Sequence, residues 1–407
     1  MTRNKPRHGR LESICADQGE LLINDVPLGR LADRVGRTPF YAYDRAALDE
    51  RVAALRAALP ARVSLHYAIK ANPMPAVVAH MRGLVDGFDV ASQREMLVAL
   101  DSGMPPSEIS FAGPAKQEHE LRAAVAAGIC INCESETELE RIAAWAATLG
   151  VRARVALRVN PAFELKGSGM KMSGSPRQFG IDAERVPAAI VRLHDLGLVF
   201  EGLHIFCGSQ NLNADSIIEA NRLTVALAVE LCGQAGSRPR FLNIGGGYGI
   251  PYFPGDEPLD VAAVGGALDE TLDHHARALE GIEIVLELGR YLVGEAGYYV
   301  CRVSDIKVSQ EHTFVMVDGG LHHHLANSGN FGQILRKNYP VVIGNRLDQP
   351  AQQTVSIVGP LCTPLDLVAD RIDVPPVAIG DLVVVLQSGA YGYTASPQQF
   401  LSHPPPL

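Results

Sequence analysis

From Thr38 to about residue 290 one unit recurs: a short apolar run, a loop, then an alanine-rich amphipathic stretch. The runs are 63–70, 88–91, 109–113, 130–133, 155–159, 203–207, 241–245 and 284–289, and segments such as 118–127 and 136–148 between them read as helices. Strand and helix in alternation dictate parallel strands joined by right-handed crossovers. Eight such units over about 250 residues predict a closed (β/α)8 barrel, an α/β fold of the TIM type; an open doubly wound sheet is the alternative. Past Tyr291 the texture changes to β-rich segments, YYVCRVSDIKVS, HTFVMVDGG, TVSIVGPLC and DLVVVLQSGAY. The predicted organisation is an N-terminal segment 1–36 that joins the β-domain, a barrel 37–290, a C-terminal β-sheet domain 291–400 and a disordered tail 401–407.

Composition excludes several function classes. Net charge is −9 with no basic run, which argues against nucleic acid and anionic membrane and leaves a small molecule as the partner. Seven cysteines, an odd number scattered from Cys15 to Cys362, are no disulfide framework and suit a reducing compartment. Cys130 and Cys133 form a CxxC, but a spacing of three on a strand puts them on opposite faces, and no second CxxC accompanies them. The first twenty residues lack the apolar core of a signal peptide, and no apolar run nears the ~20 residues of a membrane helix. The cytoplasm is the expected compartment.

The first run, LHYAIKANP at 65–73, ends on one lysine. Period-two alternation puts Leu65, Tyr67 and Ile69 on one face and His66, Ala68 and Lys70 on the other. Two uses of Lys70 are open: a side chain snorkelling from a strand end, or an amine held at the barrel mouth to form a Schiff base with a carbonyl. Chemistry in such barrels sits at the C-terminal strand ends. Polar residues gather there: Lys70 after the first run, Asp89 and Ser92 at the second, Ser209 after the sixth, Gly245, Gly246 and Gly247 after the seventh, Glu287 and Arg290 at the eighth. NIGGGYG at 243–249 offers backbone N–H groups to a phosphate, and Arg290 in LELGR suits a phosphate or carboxylate. His204 and Phe206 in HIFCGSQ share a strand face, Cys362 lies in a Pro-bounded turn GPLCTPLD, and Tyr391 lies in the turn GAYG. The loop 166–177, KGSGMKMSGSPR, is too rich in Gly and Ser for regular structure and reads as a mobile lid or a surface loop. His322, His323 and His324 are consecutive, point different ways and make no common metal site; no metal is expected.

The ordered set HYAIKAN, FDVAS, the FG at 179–180, GSQ, GGGYG, ELGR, GPLC and GAYG resembles the fold-type III pyridoxal-phosphate decarboxylases, the ornithine, diaminopimelate and arginine decarboxylase family, from about Thr38 to Ser396. The resemblance implies pyridoxal 5'-phosphate as cofactor and an obligate homodimer with active sites shared between subunits. It implies that Lys70 carries the cofactor and that Glu287 pairs with the pyridine nitrogen. Gly245, Gly246, Gly247, Ser209, Arg290 and Tyr391 would hold the phosphate, Asp89 would support the lysine side of the ring, and His204 or Phe206 would stack on it. Cys362, from the other subunit, would return a proton to the substrate carbon. Arg290, Tyr391, Thr363 and Asp366 are the implied substrate contacts.

Three departures from that family bear on substrate. Phe206 stands where many members have a stacking histidine. Thr363 stands where the diaminopimelate and ornithine enzymes have a carboxylate for the distal amine, with Asp366 further along. DGGLHHHLANSGNFGQ at 318–333 replaces a segment that grips diaminopimelate. The HHLANSGNFGQ and CTPLD patterns look more like the decarboxylases of butirosin biosynthesis, which act on glutamate tethered to an acyl carrier protein, and those of exosortase gene clusters. The reading is therefore decarboxylation of an amino acid with a neutral or acylated distal end, carrier-bound or free. The alternatives are meso-diaminopimelate decarboxylation, a racemase of the same barrel type, an inactive regulatory homologue, and a plain metabolite-binding barrel.

Overall fold

In the computed structural model, which describes residues 8–9, 14–164, 169–171, 176–331, 333 and 336–407, the chain divides into two compact units. One comprises Asp49–Ile250 and Leu259–Leu292, the other Met1–Leu48, Pro251–Pro258 and Val293–Leu407.

The first unit is the barrel. Its strands are Val63–Ala68, Gly87–Val90, Ile109–Phe111, Cys130–Cys133, Arg154–Asn160, Val199–His204, Phe241–Gly246 and Glu283–Leu288. Each pairs in parallel with its sequence neighbour, and the eighth pairs with the first, so the ring closes and the doubly wound alternative falls. All eight predicted runs overlap a strand, the sixth only at residues 203–204 because its strand begins at Val199, and helices such as Glu118–Ala127 and Glu136–Leu149 form the crossovers. Their ends are local chemistry: Ser135 accepts from Glu138 N–H at the start of the second helix, and Gly150, in the left-handed region, ends it.

Alternation along the strands sorts the side chains. Cys130, Ala156, Phe241 and Val285 from four strands form one apolar layer. Two residues further along each of those strands, towards its C-terminal end, come Asn132, Arg158, Asn243 and Glu287, all buried. The barrel is thus plugged at one level and polar at the next, where ligand chemistry belongs. Cys130, inside the apolar layer, has its thiol pushed up to about 12 by burial. No His, Cys, Asp and Glu grouping among the described residues could hold a metal.

The second unit is built on a seven-stranded sheet. Gly297–Ser309 is its long central strand; it pairs with His312–Val317 and Leu382–Val385, both antiparallel. Phe40–Tyr43 pairs with residues Gly297 to Val300, whereas Ala16–Asp17, Glu20–Ile23 and Val26–Pro27 form a separate three-stranded sheet in the same unit, which runs past residue 36 to Leu48. Pro251–Pro258, inside the predicted barrel span, also belongs here. The tail expected to be disordered is paired instead. Leu407 N–H donates to Pro39 O at 3.1 Å, Leu407 O accepts from Tyr41 N–H at 2.8 Å, and Arg37 reaches Pro405 O at 3.3 Å. The reason is an edge: Phe40–Tyr43 offers unpaired backbone groups that the last residue satisfies.

His322, His323 and His324 are buried in this unit. They serve structure. His323 bridges Tyr299 Oη (3.1 Å) and Pro404 O (2.9 Å), and His324 meets Ser388 Oγ at 3.0 Å. Burial pushes their imidazoles down, to about 3, about 4 and about 3 respectively. The unfolded chain takes up these protons near pH 6.5 and the folded chain does not until about pH 4 or below. Stability is therefore full above about pH 6.5 and falls as pH drops towards 4, by up to ~1.4 kcal/mol per pH unit for each histidine. The thermal unfolding midpoint, followed by circular dichroism, should fall between pH 7 and 5. His322→Phe should flatten that slope, because neither ring nitrogen of His322 has a hydrogen-bond partner among the described residues.

Candidate active site

The first barrel strand ends at Ala68, and Ile69–Ala71 turns as a single 3-10 unit closed by Asn72 N–H donating to Ile69 O. Lys70 therefore does not continue the face of His66 and Ala68, as alternation predicts; it sits in the turn above the strand, with its side chain 42% exposed. Its Nζ lies 3.7 Å from Glu287 Oε1 and 5.6 Å from the centre of the Phe206 ring. Sequence neighbours could not supply this grouping; barrel closure does, since the eighth strand lies beside the first.

Glu287 is buried, and a carboxylate so placed costs several kcal/mol unless it is compensated. His204 Nε2 stands 3.1 Å from Oε2, and Asn243 Nδ2 donates to the same oxygen at 3.5 Å. Burial opposes ionisation, but Lys70 first and His204 next outweigh it and hold the carboxyl well below the usual range. His204 ends its strand, and Phe206 lies beyond it. The two rings divide the work: the imidazole turns to Glu287 and the phenyl to Lys70.

The glycine turn follows from close approach of two backbones. Gly245 and Gly247 have φ of +70° and +77°, which disfavours any side chain. A Cβ on Gly247 would lie 2.0 Å from Gly208 O, and one on Gly245 would lie 2.7 Å from Ile205 O. Asn211 N–H donates to Gly247 O at 3.0 Å and Gly249 N–H to Asn211 O at 2.8 Å, so the GSQ and GGGYG turns are fastened together. Gly246 pairs with Glu287 across a register shift after Asn243, which places the glycine turn beside the carboxylate. Ser209 lies in the first of these turns, and Arg290 opens the helical turn after the eighth strand.

Asp89 is buried inside the barrel, 3.3 Å from His66 Nδ1, and accepts from Ser110 Oγ. Arg158 donates to Glu134 at 2.8 Å and lies 4.8 Å from the centre of the Phe179 ring. His66, Ser110, Asn132, Arg158 and Asn243 were not among the residues singled out by sequence. Ser110, Asn132, Arg158 and Asn243 are each the single polar residue of an apolar run, which is the signal that could have found them; His66 shares its run with Ser64 and Lys70.

The remaining predicted residues belong to the sheet unit. Cys362 is exposed in its turn, and Tyr391, with φ of +54°, is half-buried in GAYG. Asp366, expected at the substrate, is 2% exposed and committed to backbone: it accepts from Leu321 N–H at 2.6 Å and Leu361 N–H at 2.8 Å. Burial raises its pKa, and the two backbone donors tie this carboxyl to the loop that carries Cys362. In the loop 166–177, residues 166–168 and 172–175 lie outside the described residues. Met170–Lys171 pairs with Gly208–Ser209, so regular structure exists where composition argued against it.

A sequence model of the pyridoxal-dependent decarboxylases, covering their pyridoxal binding domain, matches residues 45–294. The chain belongs to this family. Over 91% of its length it is 38% identical to the L-glutamyl-(BtrI acyl-carrier protein) decarboxylase of Niallia circulans, covering 88% of that protein. It is 34% identical to the diaminopimelate decarboxylase of Aquifex aeolicus, over 93% of this chain and 87% of the relative. The crystal structure of diaminopimelate decarboxylase from M. jannaschii in co-complex with L-lysine superposes with a TM-score of 0.88 at 26% identity, covering 96% and 91% of the two chains. This protein is thus a pyridoxal-phosphate-dependent decarboxylase of amino acids. Among the described residues no helix is long and apolar enough to cross a membrane.

The geometry suits that cofactor: an amine faces a buried carboxylate, an aromatic ring lies beside it, and a turn that tolerates no side chain closes the group. Gly247→Ala should cost about 1–3 kcal/mol in urea unfolding. It should also cut the cofactor content of the purified protein, measured by absorbance after release in alkali, at least tenfold.

Proposed function

We propose that Lys70 binds the cofactor covalently through its amine, with Glu287 at the pyridine nitrogen and Phe206 against the ring face. Bound there, pyridoxal phosphate supplies an electron sink for the pair released when a carboxylate leaves the α-carbon. Glu287 keeps the ring nitrogen protonated, because His204 and Asn243 hold its carboxylate ionised and oriented. The turn Gly245, Gly246 and Gly247, with Ser209, Arg290 and Tyr391, holds the phosphate, and Asp89 supports the lysine side. Cys362, from a second copy of the chain, returns a proton to the α-carbon, which makes the active enzyme a homodimer in the cytoplasm. The single observation that carries this reading is the 3.7 Å approach of Lys70 to Glu287 at the mouth of a closed parallel barrel.

The substrate is an amino acid whose distal end bears no free ammonium: a neutral or acylated one, carried on an acyl carrier protein. A distal ammonium needs a carboxylate, worth a few kcal/mol when desolvated. The turn carrying Cys362 offers none. Thr363 is uncharged, Leu365 is 59% exposed, and Asp366 is committed to backbone N–H groups. Asn330 Nδ2 donates to Leu365 O at 3.4 Å, which brings the 318–333 segment, with Phe331 43% exposed, to the same turn. The Niallia circulans relative, by its name, acts on such a carrier-bound glutamyl group. Decarboxylation of meso-diaminopimelate is the second reading, favoured by the 34% identical Aquifex aeolicus enzyme.

Carbon dioxide release should be measured from glutamyl carrier protein, diaminopimelate, ornithine, lysine and arginine. The carrier-bound substrate should turn over at least a hundredfold faster in kcat/KM than any free diamino acid. Fast turnover of free diaminopimelate would overturn the substrate assignment. Thr363→Asp should raise turnover of the basic amino acids about tenfold. Borohydride treatment should fix the cofactor to the peptide containing Lys70, and Lys70→Ala should abolish both the labelling and the activity.

A further inference from the structure

Below Lys70, inside the barrel, Asp89, assigned above to the lysine side of the ring, pairs with a second titratable group, His66, that the scheme does not use. His66 and Asp89 stand on adjacent strands, with Nδ1 3.3 Å from Oδ2, and their side chains are 10% and 2% exposed. Ser110 Oγ donates to the other Asp89 oxygen, and Asn132 Nδ2 donates to Ser110 Oγ at 3.0 Å. The chain of contacts crosses four consecutive strands. Room for the imidazole is built in. Gly87 is the register partner of His66, and a Cβ there would lie 2.5 Å from Nε2. A cavity of about 20 Å³, the size of one water, adjoins the pair. His66 is also the register partner of Glu287 on the eighth strand.

A buried carboxylate with only a hydroxyl donor is expensive, and His66 is the partner that can offset its charge. The charged groups around His66 are Asp89 on the second strand and Glu283 and Glu287 on the eighth, with Glu108 and Arg240 on the cavity wall. Burial works against the imidazolium, but Asp89, Glu283 and Glu287 together outweigh it, and the His66 pKa is raised.

We propose that His66 is a positioning residue: a buried cation that holds and neutralises Asp89, so that the negative charge at the cofactor end of the barrel is that of Glu287 and not of Asp89. The proposal rests on the placement of the cofactor at Lys70. With His66 neutral or absent, the Asp89 carboxyl is left with the Ser110 hydroxyl as its donor, one strand away from the lysine turn. The cofactor brings its own phosphate charge, and an extra buried anion weakens its binding.

Two measurements decide this. Histidine-labelled protein, with His66 assigned by loss of its signal in His66→Gln, is titrated by 1H–15N NMR. His66 should titrate above pH 6.5 in the wild type, and its midpoint should fall below 6.5 in Asp89→Asn. Binding of pyridoxal 5'-phosphate is then followed by fluorescence quenching. His66→Gln should raise the dissociation constant about tenfold, and His66→Gln/Asp89→Asn should bind at least threefold more tightly than His66→Gln alone. Packing damage would not be reversed by removing a second partner. A double variant no tighter than His66→Gln, or a wild-type His66 titrating at or below 6.5, overturns the proposal. If wild-type protein bound no pyridoxal phosphate, the cofactor placement would fail, and the NMR titration would still judge the ion pair.

Discussion

A carboxylate inside a barrel is the constraint on which the site turns. Glu287 is surrounded by protein and ionised, so everything within reach must compensate it: Lys70 from the first strand's turn, His204 from the sixth strand, Asn243 from the seventh. Remove the compensation and burial would drive the carboxyl towards its neutral form. The polar residues are held above the apolar layer of Cys130, Ala156, Phe241 and Val285, which closes the barrel below them. Burial of Glu287 lowers the dielectric where its charge acts, and that is what makes fixed charges effective there.

The glycine turn answers a different need. Two strand-to-helix turns approach so closely at Gly247 and Gly208 that no side chain fits. Amine, carboxylate and glycine turn come from strands one, eight and seven, which are remote in sequence and adjacent in the ring.

The sheet unit shows how far residue type alone can mislead. Asp366 reads as a substrate carboxylate because it lies near Cys362 in GPLCTPLD. Its environment makes it a loop brace instead, with Gly320 and Gly359 leaving room for it. Three consecutive histidines gave no use that spacing could name, and in the fold they are buried, with His323 and His324 hydrogen-bonded inside the sheet unit. The Pro-rich tail reads as disorder, and an open strand edge orders it.

Apolar runs alternating with helices dictate parallel strands, and the polar ends of those runs singled out Lys70, Glu287 and the triple glycine; His204 and Phe206 were legible as neighbours on one strand face. Closure of the ring came from pairing of the eighth strand with the first. Tertiary structure decided what local periodicity does not carry. The strand ended at Ala68 and put Lys70 in a turn. His204 was assigned to Glu287 and Phe206 to Lys70. His66, Asp89, Ser110 and Asn132 were joined across neighbouring strands. The physical reason is that period-two alternation fixes which way a side chain points, while its partner is fixed by inter-strand register, and register is a property of the closed sheet.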